Sequence, residues 1–235
     1  MKKSFEDNGF LVIKNFIDIN IINEIKEILD NFANYHNIIG KDVVWEDEES
    51  KDYKYIQNIN YYIAETNKLI TNKLINTVSE LLGEDSYFFN MEIHNKAPLK
   101  GTITPAHQDN FYFQLKPSSA LTAYIPIELH DSEINGGLKF LVGSNKSGVV
   151  DHSASKVKAF SSLINLDDFS EYEIYGTKLD AGDIVFHHAN TIHFANPNSS
   201  EYSRRSFSVR FNGVSAKKDN FMSEKYSKNL KANRG

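Results

Sequence analysis

The hydrophobic pattern of this 235-residue chain changes period once, near Ser86, and that change limits the folds open to it. Before it, apolar residues recur at three- and four-residue spacing. Ile21, Ile22, Ile25, Ile28, Leu29 and Phe32 follow Asp18, a side chain suited to capping a helix. A second helical region spans about 59–83, with Leu69, Leu74, Ile75, Val78, Leu81 and Leu82 ahead of Gly83. After Ser86, short runs rich in aromatic and β-branched residues occupy 87–93, 106–113, 121–129, 138–142, 171–179, 184–187 and 206–211. Asn135-Gly136-Gly137, Gly143-Ser144-Asn145 and Ala181-Gly182-Asp183 punctuate them as tight turns. Helices first and many short strands afterwards predict a β-sandwich or barrel with helices packed on one outer face. Residues 9–13 add a short strand ahead of the first helix. The stretch 40–55 holds Trp45 amid Glu46, Asp47, Glu48, Glu49 and Asp52 and reads as an exposed acidic loop. The lysine-rich tail from Ala216 reads as a mobile or weakly helical surface segment.

What such a fold can do is narrowed by what the chain lacks. It has no cysteine, which excludes disulfides, thiolate nucleophiles and Cys-ligated zinc or iron–sulfur sites. Eight histidines and 31 acidic residues remain for metal or acid–base chemistry. A formal charge of −5 argues against nucleic acid as the main partner. No apolar run approaches the roughly 18 residues of a membrane span. The amino end, Met1-Lys2-Lys3-Ser4-Phe5-Glu6-Asp7, turns acidic where a signal peptide needs its apolar stretch, which predicts a cytoplasmic protein. Without repeats or linkers, one domain is expected over 1–215, helical over about 15–83 and strand-rich over about 86–213, followed by a charged tail, 216–235.

The first candidate for chemistry is His107-Gln108-Asp109. On a strand, residues two apart share a face, so His107 and Asp109 point the same way and can hold adjacent positions on a divalent metal. A surface His-Asp pair is the competing reading. The second is the run from Gly182 to His193, in which His187, His188 and His193 all lie near a strand end. Polar strand-end residues are the alternative for His187 and His188. His94 reads as a packed or surface residue, and His36, His130 and His152 lie in apparent loops with no role assigned.

The combination of His107-Gln108-Asp109, a Gly182-Asp183 turn entering a strand, His193, and Arg204 eleven residues later resembles the phytanoyl-CoA dioxygenase family of Fe(II)/2-oxoglutarate oxygenases. The resemblance also takes in the strand at 9–13 with its following helix, Asn95-Lys96-Ala97-Pro98, Asn135-Gly136-Gly137-Leu138 and Gly143-Ser144, and covers most of 8–212. It implies a mainly β fold with flanking α-helices, its core a double-stranded β-helix (jelly-roll, cupin-like). It also implies an oxygenase that uses Fe(II), 2-oxoglutarate and O2 to hydroxylate or otherwise oxidise a small molecule.

On this resemblance the metal ligands are His107, Asp109 and His193, the arginine spacing favouring His193 over its neighbours. Two histidines and a carboxylate on one face of a metal leave three sites open, which suits non-haem Fe(II) better than a closed zinc site. Arg204 offers a planar fork for the far carboxylate of 2-oxoglutarate. Strand parity agrees: Phe207, Val209 and Phe211 share one face, while Arg204, Ser206, Ser208 and Arg210 share the other. Arg205 points with the apolar set and is expected to be peripheral.

The resemblance further places Glu92, Lys96 and Tyr124 near the co-substrate, with Tyr112 and Phe113 walling the substrate side. Core packing competes for Tyr112 and Tyr124, and a solvated loop position for Lys96. Two departures stand out. Phe194-Ala195 replaces the usual Gly-Ser, so a phenylalanine either narrows the pocket or turns outward, and Val142-Gly143-Ser144-Asn145 replaces Pro-Gly-Ser-His. Asp109 is retained where halogenating relatives carry a small residue, which implies hydroxylation or another oxidation. The alternatives are a cupin-like metalloenzyme with the same three ligands and no 2-oxoacid, which has no need of a buried arginine, and a non-catalytic jelly-roll binding protein.

Overall fold

The computed structural model describes residues 1–31, 42–49 and 52–232; Phe32 and His36 lie outside them. A short helix α1 (Lys2–Asn8) leads into strand β1 (Phe10–Ile13) and helix α2 (Ile19–Asn31). Strands β2 (Val43–Asp47) and β3 (Asp52–Gln57) follow, then 3-10 turns at Ile59–Tyr61 and Ala64–Leu69, and helix α3 (Asn72–Leu82). Next come β4 (Ser86–Lys96), β5 (Thr104–His107), a short helix α4 (Asp109–Phe113), β6 (Ala120–Pro126), β7 (His130–Asp131) and β8 (Leu138–Leu141). The chain continues through β9 (Ser153–Ala154), β10 (Ser162–Leu163), β11 (Ile174–Gly176) and β12 (Lys178–Leu179). It ends with β13 (Ile184–His188), β14 (His193–Ala195), β15 (Arg204–Gly213) and helix α5 (Asn220–Ala232).

Among the described residues, the strands form a major sheet ordered β1-β13-β6-β15-β4-β3-β2, a minor sheet ordered β11-β8-β14-β5, and two short ribbons. Neighbouring strands pair antiparallel throughout. The two sheets face each other: Phe10, Tyr124 and Val185 of the major sheet pack with Leu138, Phe140 and Ala195 of the minor one. Phe10 stacks on Phe140 with ring centroids 4.7 Å apart. The opposite face of the major sheet, carrying Met91, Ile93, Leu121, Phe186, Phe207, Val209 and Phe211, is covered by Ile22, Ile25 and Leu29 of α2 and Leu74, Val78 and Leu81 of α3. This is the double-stranded β-helix expected, with its helices outside. Burial of the two amphipathic stripes is what holds them there. Arg205 ties the layers together by pairing with Asp30 of α2 at 2.7 Å and with Glu128.

Four expectations are corrected. The described part of 40–55 is not an exposed loop: β2 and β3 extend the major sheet, with Ile56 opposite Ile93 and Tyr55 opposite His94. Its aromatic and β-branched residues form the strands. Its carboxylates are partnered, Glu46 by Lys54 at 3.8 Å, and Asp47 and Asp52 by Lys100 at 3.4 and 3.3 Å. Second, the region 59–83 is α-helical only over Asn72–Leu82, where the Thr71 hydroxyl caps the Leu74 N–H at 3.1 Å. Third, the run 106–113 is strand only to His107. The Asn110 side chain bonds the Leu115 N–H and carbonyl, each at 3.1 Å, and closes the chain into α4. Fourth, the tail is a helix seated on the body. Met222, Tyr226 and Leu230 lie at helical spacing among the lysines and are partly buried, and Asn229 bonds the His152 carbonyl at 2.9 Å.

Among the described residues no helix is long and apolar enough to cross a membrane.

Candidate active site

The minor sheet presents two histidines side by side. His193 lies opposite His107 in the β14–β5 pairing, and their ring centroids are 4.2 Å apart. The Nδ1 of His107 meets the Pro105 carbonyl at 2.8 Å, and that of His193 meets the Thr191 carbonyl at 3.0 Å. A carbonyl can only accept, so both Nδ1 atoms carry the proton and both Nε2 atoms are left as bare lone pairs. Asp109 stands at the start of α4, not on a strand, yet shares the side of His107 because Gln108 between them is extended. Its Oδ1 lies 3.7 Å from the Nε2 of His107 and 3.6 Å from that of His193. Ligand atoms of these three residues all fall within 4.8 Å of one another.

The other oxygen of Asp109 is occupied. Its Oδ2 accepts from the Thr122 hydroxyl at 2.6 Å and from the Nε2 of His187 at 3.1 Å. The carboxylate is thereby oriented with one oxygen fixed and the other turned to the histidines. Burial alone would raise the Asp109 pKa, but it is held well below the usual carboxylate range, the hydrogen bond donated by the His187 Nε2–H among the causes. Burial pushes His107 down and, with its neighbours, His193 further down. The site therefore presents one carboxylate and two neutral imidazoles, the protonation states a divalent metal requires.

His187 was expected to be a polar strand-end residue; it is buried and stands against the cluster of His107, Asp109 and His193. Parity was the available signal. In the β13–β6 register Val185 faces Tyr124 and His187 faces Thr122, while Phe186 packs with the helices.

A second buried network lies at the other end of the same wall. The Nε2 of His130 meets the Arg205 carbonyl at 2.9 Å and must be the protonated nitrogen. Its Nδ1 then accepts from the Tyr124 hydroxyl at 2.9 Å, whose oxygen accepts from Arg204 at 2.5 Å. His130 was given no role from sequence because β7 reaches this point only through the fold. Burial and Arg204 keep it neutral by lowering its pKa well below the ordinary value. Arg204 itself is 3% exposed, lines the cavity, and has a buried Nε without a partner.

Lys96 pairs across from Arg204 and is buried, so the solvated-lysine reading is overturned. Its Nζ donates to the Thr102 carbonyl at 2.6 Å and the Asn196 carbonyl at 2.8 Å, and it lines a small side pocket with Arg204. Burial, with repulsion from Arg204 and Lys54, pushes its pKa down to about 6, and a neutral amine has just two hydrogens for those two carbonyls. Glu92 lines the main cavity, its Oε2 lying 3.4 Å from the Nε2 of His94.

The cavity between the sheets has a volume of about 980 Å³. Tyr112 and Phe113 both line it; Tyr112 sets its ring edge-on to His107 and donates to the Ser162 carbonyl at 2.8 Å. Phe194 turns outward, packing on the cluster of Ala106, Leu141 and Ile192. Tyr226 and Leu230 of α5 complete the wall. Arg210 also faces inward, and burial lowers its pKa to about 10.

Comparison with known proteins agrees with this geometry. Residues 5–206 match the family model described as Phytanoyl-CoA dioxygenase (PhyH). Over 220 residues the chain is 25% identical to the probable alpha-ketoglutarate-dependent hypophosphite dioxygenase of Stutzerimonas stutzeri, covering 87% of this chain and 74% of that protein. It is 26% identical over 226 residues to the peroxisomal phytanoyl-CoA dioxygenase of Homo sapiens, covering 89% and 67%. EctD from S. alaskensis, crystallised with 2-oxoglutarate and 5-hydroxyectoine, superposes with a TM-score of 0.76 at 16% identity, covering 93% of this chain and 77% of that one. That likeness establishes the jelly-roll fold. With its match over 5–206, the chain belongs to the phytanoyl-CoA dioxygenase (PhyH) family.

Proposed function

We propose that this chain is an Fe(II)- and 2-oxoglutarate-dependent dioxygenase that hydroxylates or otherwise oxidises a small molecule, with His107, Asp109 and His193 as the metal ligands. The observation that carries the assignment is the convergence of two bare imidazole nitrogens and one carboxylate oxygen, each held by its own buried partner. Such a facial trio suits non-haem iron. At the far end, the buried Arg204 with its unpartnered Nε fits the distal carboxylate of 2-oxoglutarate. A metalloenzyme without a 2-oxoacid leaves that arginine unexplained. When bound, iron and 2-oxoglutarate would supply the oxidation: in a hydroxylation one oxygen atom of O2 would go to the substrate and the other to succinate, with CO2 released.

The protein's own contribution is placement. Thr122 and His187 hold Asp109 so that one oxygen remains free for the metal. Tyr124 and His130 fix the guanidinium of Arg204 in plane for a bidentate pair. Glu92 contributes a carboxylate to the cavity, and Lys96 braces the strand end beside Arg204 by its two carbonyl bonds. Tyr112 and Phe113 shield the substrate side from water. The catalytic body is read as one domain through residue 215, with α5 as part of its cavity wall. Asp109→Ala is expected to abolish succinate formation from 2-oxoglutarate while the circular dichroism spectrum is retained. Full turnover by that variant would contradict the assignment.

A further inference from the structure

Arg210 faces the cavity from β15 on the same side as Arg204, six residues and roughly 20 Å of strand away. Its guanidinium carbon lies 3.6 Å from the centre of the Phe113 ring and 4.0 Å from that of Phe89. Its Nε donates to Asn212 at 3.0 Å. The group is thus held over two aromatic rings, with Asn212 on one edge. Among the described residues it has no ion-pair partner within 4.0 Å, although Asp109 and Glu92 are near enough to act on it electrostatically. Glu92 lies beside His94 and Asp109 is held among the three histidines. The cavity wall carries Arg204, Arg210 and Lys156 against the two carboxylates of Glu92 and Asp109. Across the β15–β6 pairing, Arg210 stands opposite Thr122, whose hydroxyl supports Asp109.

We propose that Arg210 anchors an anionic group of the substrate, a carboxylate or a phosphorus oxyanion, through its in-plane N–H donors, so that the rest of the substrate extends along the cavity past the metal-ligand cluster. The inference rests on the dioxygenase reading and deepens it by naming the substrate's chemistry. With aromatic rings over it and Asn212 on its Nε edge, the guanidinium keeps its terminal N–H donors for a ligand, and their planar fork suits a bidentate oxyanion better than a neutral polar group. The distance to Arg204 lets the co-substrate and substrate anions occupy separate sites, and a cavity of about 980 Å³ has room for both.

Calorimetric titration of the protein loaded anaerobically with Fe(II) and 2-oxoglutarate tests this, with hexanoate, hexylphosphonate and hexanamide as probes. At least one acid is expected to bind about tenfold or more tightly than the amide, as a charge-assisted pair predicts. Which acid is preferred separates carboxylate from phosphorus oxyanion. Arg210→Gln is expected to erase the preference while the visible charge-transfer band of the loaded centre persists. Arg210→Met, which keeps an apolar stem beside the two rings, gives the same readout where the Gln variant does not fold. Equal binding of acids and amide by banded wild type, or a preference surviving in a banded variant, overturns the subsite alone. Absence of the band in metal-loaded wild type overturns the dioxygenase reading, and this inference with it.

Discussion

At the residue scale, the site depends on Asp109 using its two oxygens differently. Oδ2 accepts from Thr122 and His187, which leaves Oδ1 free for the proposed metal. Thr122→Val or His187→Phe is therefore expected to weaken Fe(II) binding by about 10- to 100-fold without removing a proposed ligand. Competition with a coloured chelator measures this, and unchanged affinity in both would refute the role. His152 offers a pH test. Its Nδ1 meets the Val150 carbonyl at 3.0 Å, so its Nε2 accepts from the Gln108 N–H at 3.1 Å, between the two proposed ligands His107 and Asp109. Burial lowers its pKa to about 4. The unfolded chain takes up that proton near pH 6.5, before the folded one does. Stability is thus full above 6.5 and declines as pH falls from there toward 4. Relative to His152→Gln, wild type should lose about 1.5 kcal/mol between pH 6.5 and 5 in urea unfolding. The pairing of His107 with Asp109 was legible because they stand two residues apart, whereas His193, far along the chain, was singled out only through the family resemblance and its eleven-residue spacing to Arg204. His130 was not, since only the folded chain brings it to Tyr124 and Arg204.

At the scale of elements, alternation was read correctly where a strand had one apolar face. On β15, Phe207, Val209 and Phe211 pack with the helices while Arg204, Ser208 and Arg210 line the cavity. It failed where side chains compete with the ladder, as Asn110 does by closing α4 directly after β5. It also failed for β2 and β3, whose acidic residues look solvated until Lys54 and Lys100 are placed beside them. The lysines of α5 obscured a stripe of Met222, Tyr226 and Leu230, the last two of which line the cavity. The turn before β8 was legible and is demanding. Gly136 has φ +70°, and a Cβ there would meet the Asn196 carbonyl oxygen at 2.2 Å. Gly136→Ala is expected to cost about 1–3 kcal/mol in urea unfolding, from the left-handed backbone and the clash together. No loss would show that the turn yields freely.

At the scale of the whole molecule, two sheets enclose the main cavity, and helices packed behind the major sheet leave its inner face free to carry polar groups. The proposed metal ligands come from β5, α4 and β14, and the proposed co-substrate arginine from β15, so the site forms only when both sheets are in register. The central claim is that iron and 2-oxoglutarate bind there together. Anaerobic titration of the Fe(II)-loaded protein with 2-oxoglutarate tests it most directly. The account predicts a saturable visible charge-transfer band in the wild type, and in Arg204→Gln a half-saturation raised about tenfold or more. A fully metal-loaded wild type that shows no band at any 2-oxoglutarate concentration would contradict it.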